Sequence, residues 1–577
     1  MIVHKDIRKF FDLEAEAEAD RWETLMELTI EERIHKRKAI KSLYIDREFS
    51  GREENNILYK LLVSENLSDF KEGERVCLHK EGTKSGVKAT INRFDDENII
   101  IEVYMSEIPS DFDTYYDVPL YLDKDLVDLR EHVYNPFLGK LSTDDEYWEK
   151  SIINTKEKKE IKVGTELEDE LEDTITNFNL SLLPRQREAI LHSMASEDYY
   201  LIQGPPGTGK SFVLAYIILE EIAYFDRKVI VVGPNHMAIN NTLIQLLKNK
   251  CCVGHKVGQS YNAPQYSTII DGEECSIKNI THLNVFAANQ AKGWWVIGTT
   301  PHCLYTSRAR GLECDTLIID EAGQMTIPLA LMGMINAKKV IFAGDYKQLP
   351  PIVSSEKVAD KLKQSVFQAL VTDKNCTMLD VSFRMCEPIC NFVSELFYDG
   401  ELKPHKKGCG DAIKNKDPLY SFDSPIVMCN VDDEGKQISD REAAYIVEII
   451  RKYISLGLPA EEIAVLSPFR AQAANVRRFI RKDKNISEEN RIKLAVDTVD
   501  KMQGQEREVI IFSLAAGDKD YMAEMGEFLY NPNKLNVAFS RAKSKLIIVG
   551  NIDNLEFVKN EFAHIDKMLS SQYVIRF

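Results

Sequence analysis

The stretch GPPGTGKS at 204–211 constrains this chain more than any other feature. It fits G-x-x-x-x-G-K-[ST] in full, and it lies between the apolar run Tyr199–Ile202 and the helix-like SFVLAYIILEEI. Gly204, Gly207 and Gly209 let backbone N–H groups close around a phosphate, with Pro205, Pro206 and Thr208 completing the loop. Lys210 would reach the β/γ-phosphates of a nucleotide, and the Ser211 hydroxyl would ligate Mg²⁺. A strand that feeds such a loop and then a helix is a unit of a parallel α/β sheet.

The rest of the chain after 199 repeats that theme. Short β-branched runs end in small or polar clusters: KVIVVGPNHM, WWVIGTTP, DTLIIDEAGQ and KKVIFAGDYKQLPP, then SPIVMCNVDD, EEIAVLSPFR, REVIIFSLAAG and SKLIIVGN. Buried parallel strands look like this when helices cover both sheet faces. Helical patterns at 211–225, 236–249, 440–456 and 470–482 separate some of them. The expectation is an α/β chain with two such domains, 181–375 and 376–577, whose ligands sit at the carboxyl ends of the strands.

An NTP site also needs an acidic strand end. DTLIIDEAGQ supplies Asp320 to serve Mg²⁺ and Glu321 to activate water. In GDYKQLPP, Gln348 would sense the γ-phosphate or position water, and Asp345 would fix the loop. Phosphoryl transfer further needs cations against the charge developing on the γ-phosphate. Arg384 in SFRM and Arg541 in LNVAFSRAKSK are the candidates, both in the second α/β domain.

The first third differs. The chain has 577 residues, 44% apolar and 28% charged, an ordinary globular composition that excludes a disordered or collagenous chain. Its net charge of −18 is unevenly placed, because residues 1–180 hold 43 acidic against 26 basic side chains and the remainder is nearly balanced. Long-range steering of a polyanion would be repulsive, yet a groove in the neutral part can still hold a phosphate backbone. Residues 1–45 read as helix and 70–122 as short β runs of a small barrel or sandwich, with a solvated acidic linker at 140–180. No window spans a membrane, no secretory signal opens the sequence, and eleven sparse cysteines do not suggest a disulfide framework. The expected setting is intracellular and cytoplasmic. Trp294-Trp295 reads as near-core, and the cysteines around 376–409 lack zinc-module spacing.

Assembled in order, LPRQREAI, GPPGTGKS, GPNHMAINN, VIGTTP, DEAGQ, GDYKQLPP, SFRM, VLSPFRAQ, VDTVDKMQGQE and LNVAFSRAK resemble the superfamily 1 helicases. The resemblance is to the branch holding the nonsense-mediated decay RNA helicase and the immunoglobulin mu-binding helicase. It implies two RecA-like domains with ATP and Mg²⁺ in the cleft, a single strand of RNA or DNA across the top, 5′→3′ movement and a monomeric motor. It also implies a β-barrel on a helical stalk: stalk helices at 1–45, barrel at 46–135, return stalk at 136–180 and a small insertion at 254–292. By the same resemblance Gln186 would recognise adenine, Phe383 would stack on it, Glu506 would contact the ribose, and Gln503-Gly504 would line the cleft. Pro234, Asn235, Asn241, Thr299 and Thr300, with Arg470 and Thr498 of the second domain, would touch the nucleic acid backbone. Cys386 stands where SFRM strings usually continue with His. An ATP-gated clamp that changes grip without unwinding is the alternative to a motor.

Overall fold

The computed structural model describes residues 2–577 apart from 50, 54–55, 64–67, 69, 71–72, 84–85, 96–97, 144–160, 250–253, 259–266, 271–272, 281, 410–412, 414 and 503. Gln503 and part of the return-stalk and 254–292 stretches therefore lie outside the described residues.

Helix His4–Glu27 opens the chain and buries Ile7, Phe10 and Phe11. Phe11 meets Tyr134 and Phe137 at ring-centroid distances of 4.3 and 5.7 Å, and Phe137 meets Tyr305, so this face seats the helix on the first α/β domain. Each of these apolar side chains contributes about 1.5–3 kcal/mol when buried. Short helix Ile30–His35 then leads into a barrel of strands β1 (Ala39–Ile45), β2 (Gly51–Glu53), β3 (Asn56–Leu62), β4 (Arg75–Lys80), β5 (Val87–Asp95), β6 (Asn98–Tyr104) and β7 (Leu120–Lys124). The antiparallel order β1-β7-β4-β5-β6-β3 closes on itself through Tyr44↔Leu62 and Ile45↔Leu61, and β2 hangs on β3 as a hairpin.

The barrel thus begins within the stretch read as stalk helix. Strand β1 hides its alternation because its register with β7 shifts between Ile40 and Leu43, where Ser42 takes a left-handed φ of 58°. Arg33 ties the barrel to the stalk. Its Nε and Nη2 donate to the two oxygens of Asp123, each at 2.8 Å, and His79 Nε2 lies 2.7 Å from the same carboxylate. Burial opposes charge on Asp123, but His79 and Arg33 outweigh it and hold the carboxyl below its usual value.

The first α/β domain carries β8 (Tyr199–Gln203), β9 (Val229–Val232), β10 (Gly254–Val257), the hairpin β11 (Ser267–Ile270) and β12 (Glu273–Ser276), β13 (Lys278–Ile280), β14 (Val296–Thr299), β15 (Cys314–Ile319), β16 (Ala337–Gly344) and β17 (Cys376–Met378). Its eight-stranded sheet is parallel throughout, in the order β13-β10-β14-β9-β15-β16-β8-β17. Leu317 and Ile319 face one core layer and Ile318 the other, so continuous apolar runs cover both faces. The described ends of the 254–292 stretch extend this sheet as β10 and β13. Residues 376–378, placed by sequence in the second domain, pair with β8 and belong to the first.

The second domain has a ribbon of β18 (Val381–Cys386) and β19 (Lys403–Lys406). Its parallel sheet contains β20 (Ile426–Asn430), β21 (Ile463–Ser467), β22 (Ala495–Thr498), β23 (Arg507–Ser513), β24 (Ala542–Gly550) and β25 (Val574–Arg576), in the order β22-β21-β23-β24-β20-β25. Cys386 and Cys409 form a disulfide with Cα atoms 4.8 Å apart, a single bond where the sequence suggested no disulfide framework. Pairing of Cys386 with Lys406 across the ribbon is what brings the two together. Among the described residues no helix is long and apolar enough to cross a membrane.

Candidate nucleotide site and strand-facing edge

The glycine loop leaves β8 between β16 and β17, and the topology puts it beside both acidic strand ends. Gly207 and Gly209 adopt φ of 74° and 82°, a left-handed region that glycine enters without steric cost, and Gly209 caps helix Lys210–Ala223. A Cβ on Gly204 would stand 2.8 Å from Lys210 Cβ, and one on Gly207 would stand 2.5 Å from Arg384 Cβ. Only glycine leaves that cradle open.

Lys210 Nζ lies 2.9 Å from Asp320 Oδ1 and 2.5 Å from Glu321 Oε1. Burial opposes its charge, yet Asp320 and Glu321 outweigh burial and hold the ammonium's pKa above its ordinary value. Glu321 is the mirror case: burial raises its pKa, Lys210 lowers it further, and the carboxylate stays ionised. Thr242 Oγ1 donates to Asp320 Oδ2 at 2.8 Å, and Gln324 Nε2 donates to Glu321 Oε2 at 2.8 Å. Glu321 itself sits at φ 56°, a conformation that costs a non-glycine residue roughly 1–2 kcal/mol. The ion pair and Gln324 hold it there. Ser211, half-buried in the first helical turn, and Asp320 form the hydroxyl-plus-carboxylate donor set that suits Mg²⁺.

The second domain closes over this loop. Ser382 Oγ donates to Pro206 O and Phe383 N to Gly207 O, each at 2.8 Å, so the SFRM strand lies directly on the cradle. Arg541 is buried. Its Nη2 donates to Gln348 Oε1 at 3.3 Å, its Nε to Val537 O at 2.9 Å and its Nη1 to Gln505 O at 3.4 Å. Burial, then the like charge of Arg384, pushes its pKa down to about 9, still cationic at neutral pH. Arg384 Nε donates to Glu506 Oε2 at 2.5 Å and its Nη1 to Ser540 O at 3.2 Å. The carboxylate read as a ribose contact is thus engaged by Arg384, which overcomes burial to keep Glu506 below its usual pKa.

Gln186 is also committed. Its Oε1 accepts from Leu183 N at 3.1 Å and its Nε2 donates to Thr208 O at 3.3 Å, so as folded it braces the phosphate loop. Phe383 is 37% exposed, with its ring 4.5 Å from that of His405.

The residues read as nucleic-acid contacts stand at the carboxyl edge of their own parallel sheet, except Asn241, which lies inside helix His236–Lys248. Pro234 and Asn235 follow β9, Thr299 and Thr300 follow from β14, Thr498 ends β22, and Arg470 opens helix Arg470–Lys482 after β21. Asn235, Asn241 and Arg470 are exposed, and Pro234 and Thr300 half-buried. Thr299 and Thr498 are buried, so at those two positions the side chain does not present itself to this edge. A Cβ on Gly504 would lie 3.0 Å from Met237 Cε, which places Gly504 in the cleft between domains. Trp294 and Trp295, just before β14, pack into the core layers on opposite faces of the first sheet.

Sequence reasoning missed Thr242, Gln324, Tyr398, Asn533 and Asn536. Asn536 stands inside the quoted string LNVAFSRAK and could have been found there. Tyr398 carries no local signal.

Comparison with known proteins follows the same division. Two AAA domain profiles match, one over 181–269 and 278–356 and the other over 362–553. The chain is 28% identical over 466 residues to the DNA polymerase alpha-associated DNA helicase A of Schizosaccharomyces pombe, covering 70% of this chain and 68% of that protein. It is 26% identical over 472 residues to an uncharacterised ATP-dependent helicase of Methanocaldococcus jannaschii, covering 65% and 68%. It is 27% identical over 421 residues to Regulator of nonsense transcripts 1 of Dictyostelium discoideum, covering 65% of this chain but 31% of that longer protein.

Proposed function

The chain belongs to the superfamily 1 helicases, in the branch of the nonsense-mediated decay helicase, as an ATP-dependent nucleic acid helicase; on that premise we propose a monomeric motor that moves 5′→3′ along single-stranded RNA or DNA. One observation carries the finer reading: the second domain's SFRM strand and Arg541 reach the phosphate loop and Gln348 of the first domain in a single cleft. A site divided between two domains can convert hydrolysis into relative movement.

In this reading Lys210 leaves Asp320 and Glu321 to meet the β/γ-phosphates. Ser211 and Asp320 would hold Mg²⁺, which would supply further neutralisation of phosphate charge. The ionised Glu321 carboxylate takes the proton of the attacking water, and the Gln348 amide orients that water. Arg384 and Arg541 stabilise charge that develops on the transferred phosphoryl group. Phe383, seated on His405, offers its other face to adenine, with Gln186 at the base edge and Glu506 at the ribose. Asn235, Asn241, Thr300 and Arg470, with Pro234 and the backbone at Thr299 and Thr498, hold the strand without reading its sequence. The domain division is stalk, barrel over 39–124, return stalk, and two RecA-like domains meeting near 379–381. The setting is intracellular and cytoplasmic.

The test is ATP hydrolysis titrated with matched single-stranded RNA and DNA at fixed salt, alongside displacement of duplexes bearing 5′ or 3′ overhangs. Strand-stimulated hydrolysis with displacement from the 5′ overhang is expected. Stimulation without displacement would favour the ATP-gated clamp, and hydrolysis indifferent to either strand would overturn both readings.

A further inference from the structure

The loop Asp345–Gln348 is gripped from the other domain by groups that the mechanism above does not use. Asp345 is buried, and its Oδ1 accepts from Gln203 Nε2 at 3.2 Å and from Lys347 N at 3.1 Å. Its Oδ2 accepts from Gln348 Nε2 at 2.8 Å and from the Tyr398 hydroxyl at 2.5 Å. Tyr398 belongs to the second domain, at the end of helix Glu387–Phe397, with its ring in that domain's core. Its hydroxyl in turn accepts from Asn536 Nδ2 at 2.8 Å, and the same amide donates to Lys347 O at 2.8 Å. Asn533, one turn earlier on helix Pro532–Phe539, donates to Tyr346 O at 3.0 Å.

The donor arithmetic is closed. An ionised carboxylate only accepts, so Tyr398 must spend its single O–H on Asp345 and take Asn536 on a lone pair. Burial, then the Asp345 charge, pushes the phenol pKa well above its ordinary value, so it remains a donor at every working pH. Gln348 is consequently fixed at both ends of its amide, the NH₂ by Asp345 and the oxygen by Arg541. Of the two anchors, Asp345 takes its orientation partly from the opposite domain.

We infer that Tyr398 and Asn536 are positioning residues that set Gln348 through Asp345, so that seating of the second domain is what aims the Gln348 amide. The inference rests on the proposed role of Gln348 at the γ-phosphate. It predicts that Tyr398 acts on hydrolysis only through Gln348. A relay of this kind ties the angle between the domains to a single rotamer beside the nucleotide.

The experiment is a double-mutant cycle on the full chain, with strand-saturated kcat and fluorescent-ATP Kd measured for wild type, Tyr398→Phe, Gln348→Ala and the pair. Tyr398→Phe removes one O–H bonded to a charged acceptor, and kcat should fall about 10-fold while Kd stays within about 2-fold. In the Gln348→Ala background the same change should have little further effect. Wild-type kcat in Tyr398→Phe, or an undiminished 10-fold loss on top of Gln348→Ala, would overturn the inference, since a merely structural tyrosine gives multiplicative losses. Should Tyr398→Phe fail to fold by circular dichroism, Asn536→Ser enters the same cycle under the same criterion. A wild type without strand-stimulated hydrolysis would instead defeat the function proposed above, and this inference would fall with it.

Discussion

Removing the Lys210 ammonium should do more than stop turnover; it should destabilise the nucleotide-free protein. Nζ sits 2.9 Å from Asp320 and 2.5 Å from Glu321, with Asp320 2% and Glu321 29% exposed at the side chain. At an effective dielectric near 20, each contact is worth about 6 kcal/mol of gross attraction. Desolvation cancels much of it, and breaking a buried pair by deleting one partner costs about 3–5 kcal/mol. Because Glu321 keeps some contact with water, Lys210→Ala should lie near the lower end, about 3 kcal/mol. The pH dependence fixes the sign. In wild type Lys210 depresses the Glu321 pKa, so the stabilisation is present above the unfolded value near 4.5 and is lost as pH falls through the folded one. In Lys210→Ala the same buried carboxyl keeps only the weaker influence of Arg541, its pKa moves up, and its penalty builds as pH rises from the unfolded value near 4.5 to that raised one. The gap between wild type and variant should therefore be widest at pH 8 and narrow towards pH 5. Glu321→Gln added to Lys210→Ala should recover about half the loss. Urea unfolding of the nucleotide-free protein, followed by the fluorescence of Trp294 and Trp295 in the first domain, reads all three proteins. An unchanged midpoint in Lys210→Ala at pH 8, or further destabilisation by Glu321→Gln, would refute the argument.

Arg541→Ala and Arg384→Ala should each lower single-turnover hydrolysis by about 10³-fold with smaller changes in nucleotide Kd, and Arg541→Lys should restore little because an ammonium lacks the guanidinium fork; near-normal hydrolysis in Arg541→Ala would exclude closure-coupled catalysis. Glu14 accepts from Ser354 N and Ser355 N at 2.8–3.0 Å and Arg21 donates to Ser354 O at 2.8 Å, so Glu14→Ala with Arg21→Ala should speed hydrogen exchange in helix His4–Glu27 several-fold while leaving ATP affinity intact. Buried Glu220, whose Oε1 has no hydrogen-bond partner among the described residues, has its pKa raised by burial from 4.5 to about 7. Folded protein then holds a proton that unfolded protein releases, so stability should fall by about 3 kcal/mol as pH rises from 4.5 to 7, and Glu220→Gln should flatten that slope in urea midpoints measured against pH.

Local chemistry and element order are legible in the chain alone. Gly204–Ser211 carries its own backbone requirements, and Asp320, Glu321 and Gln348 stand at the ends of strands whose apolar runs are unbroken. A parallel sheet buried on both faces leaves that signature in every strand long enough to show it. Strand β17 has three residues and shows none, and the bulge at Ser42 scrambled the alternation of β1, so both were misplaced. Membership in a barrel was decided by closure, since the Tyr44–Leu62 pair completes a circuit that runs through four other strands. The same holds for the site's wiring. Tyr398 reaches Asp345 across 53 residues, Asn536 reaches Lys347 across 189 and Arg21 reaches Ser354 across 333. A hydrogen bond of that span has no periodicity and no spacing rule, because its geometry is set by how separately folded parts of the chain seat against each other. Sequence named the groups that meet the phosphates, and tertiary structure chose the ones that aim them.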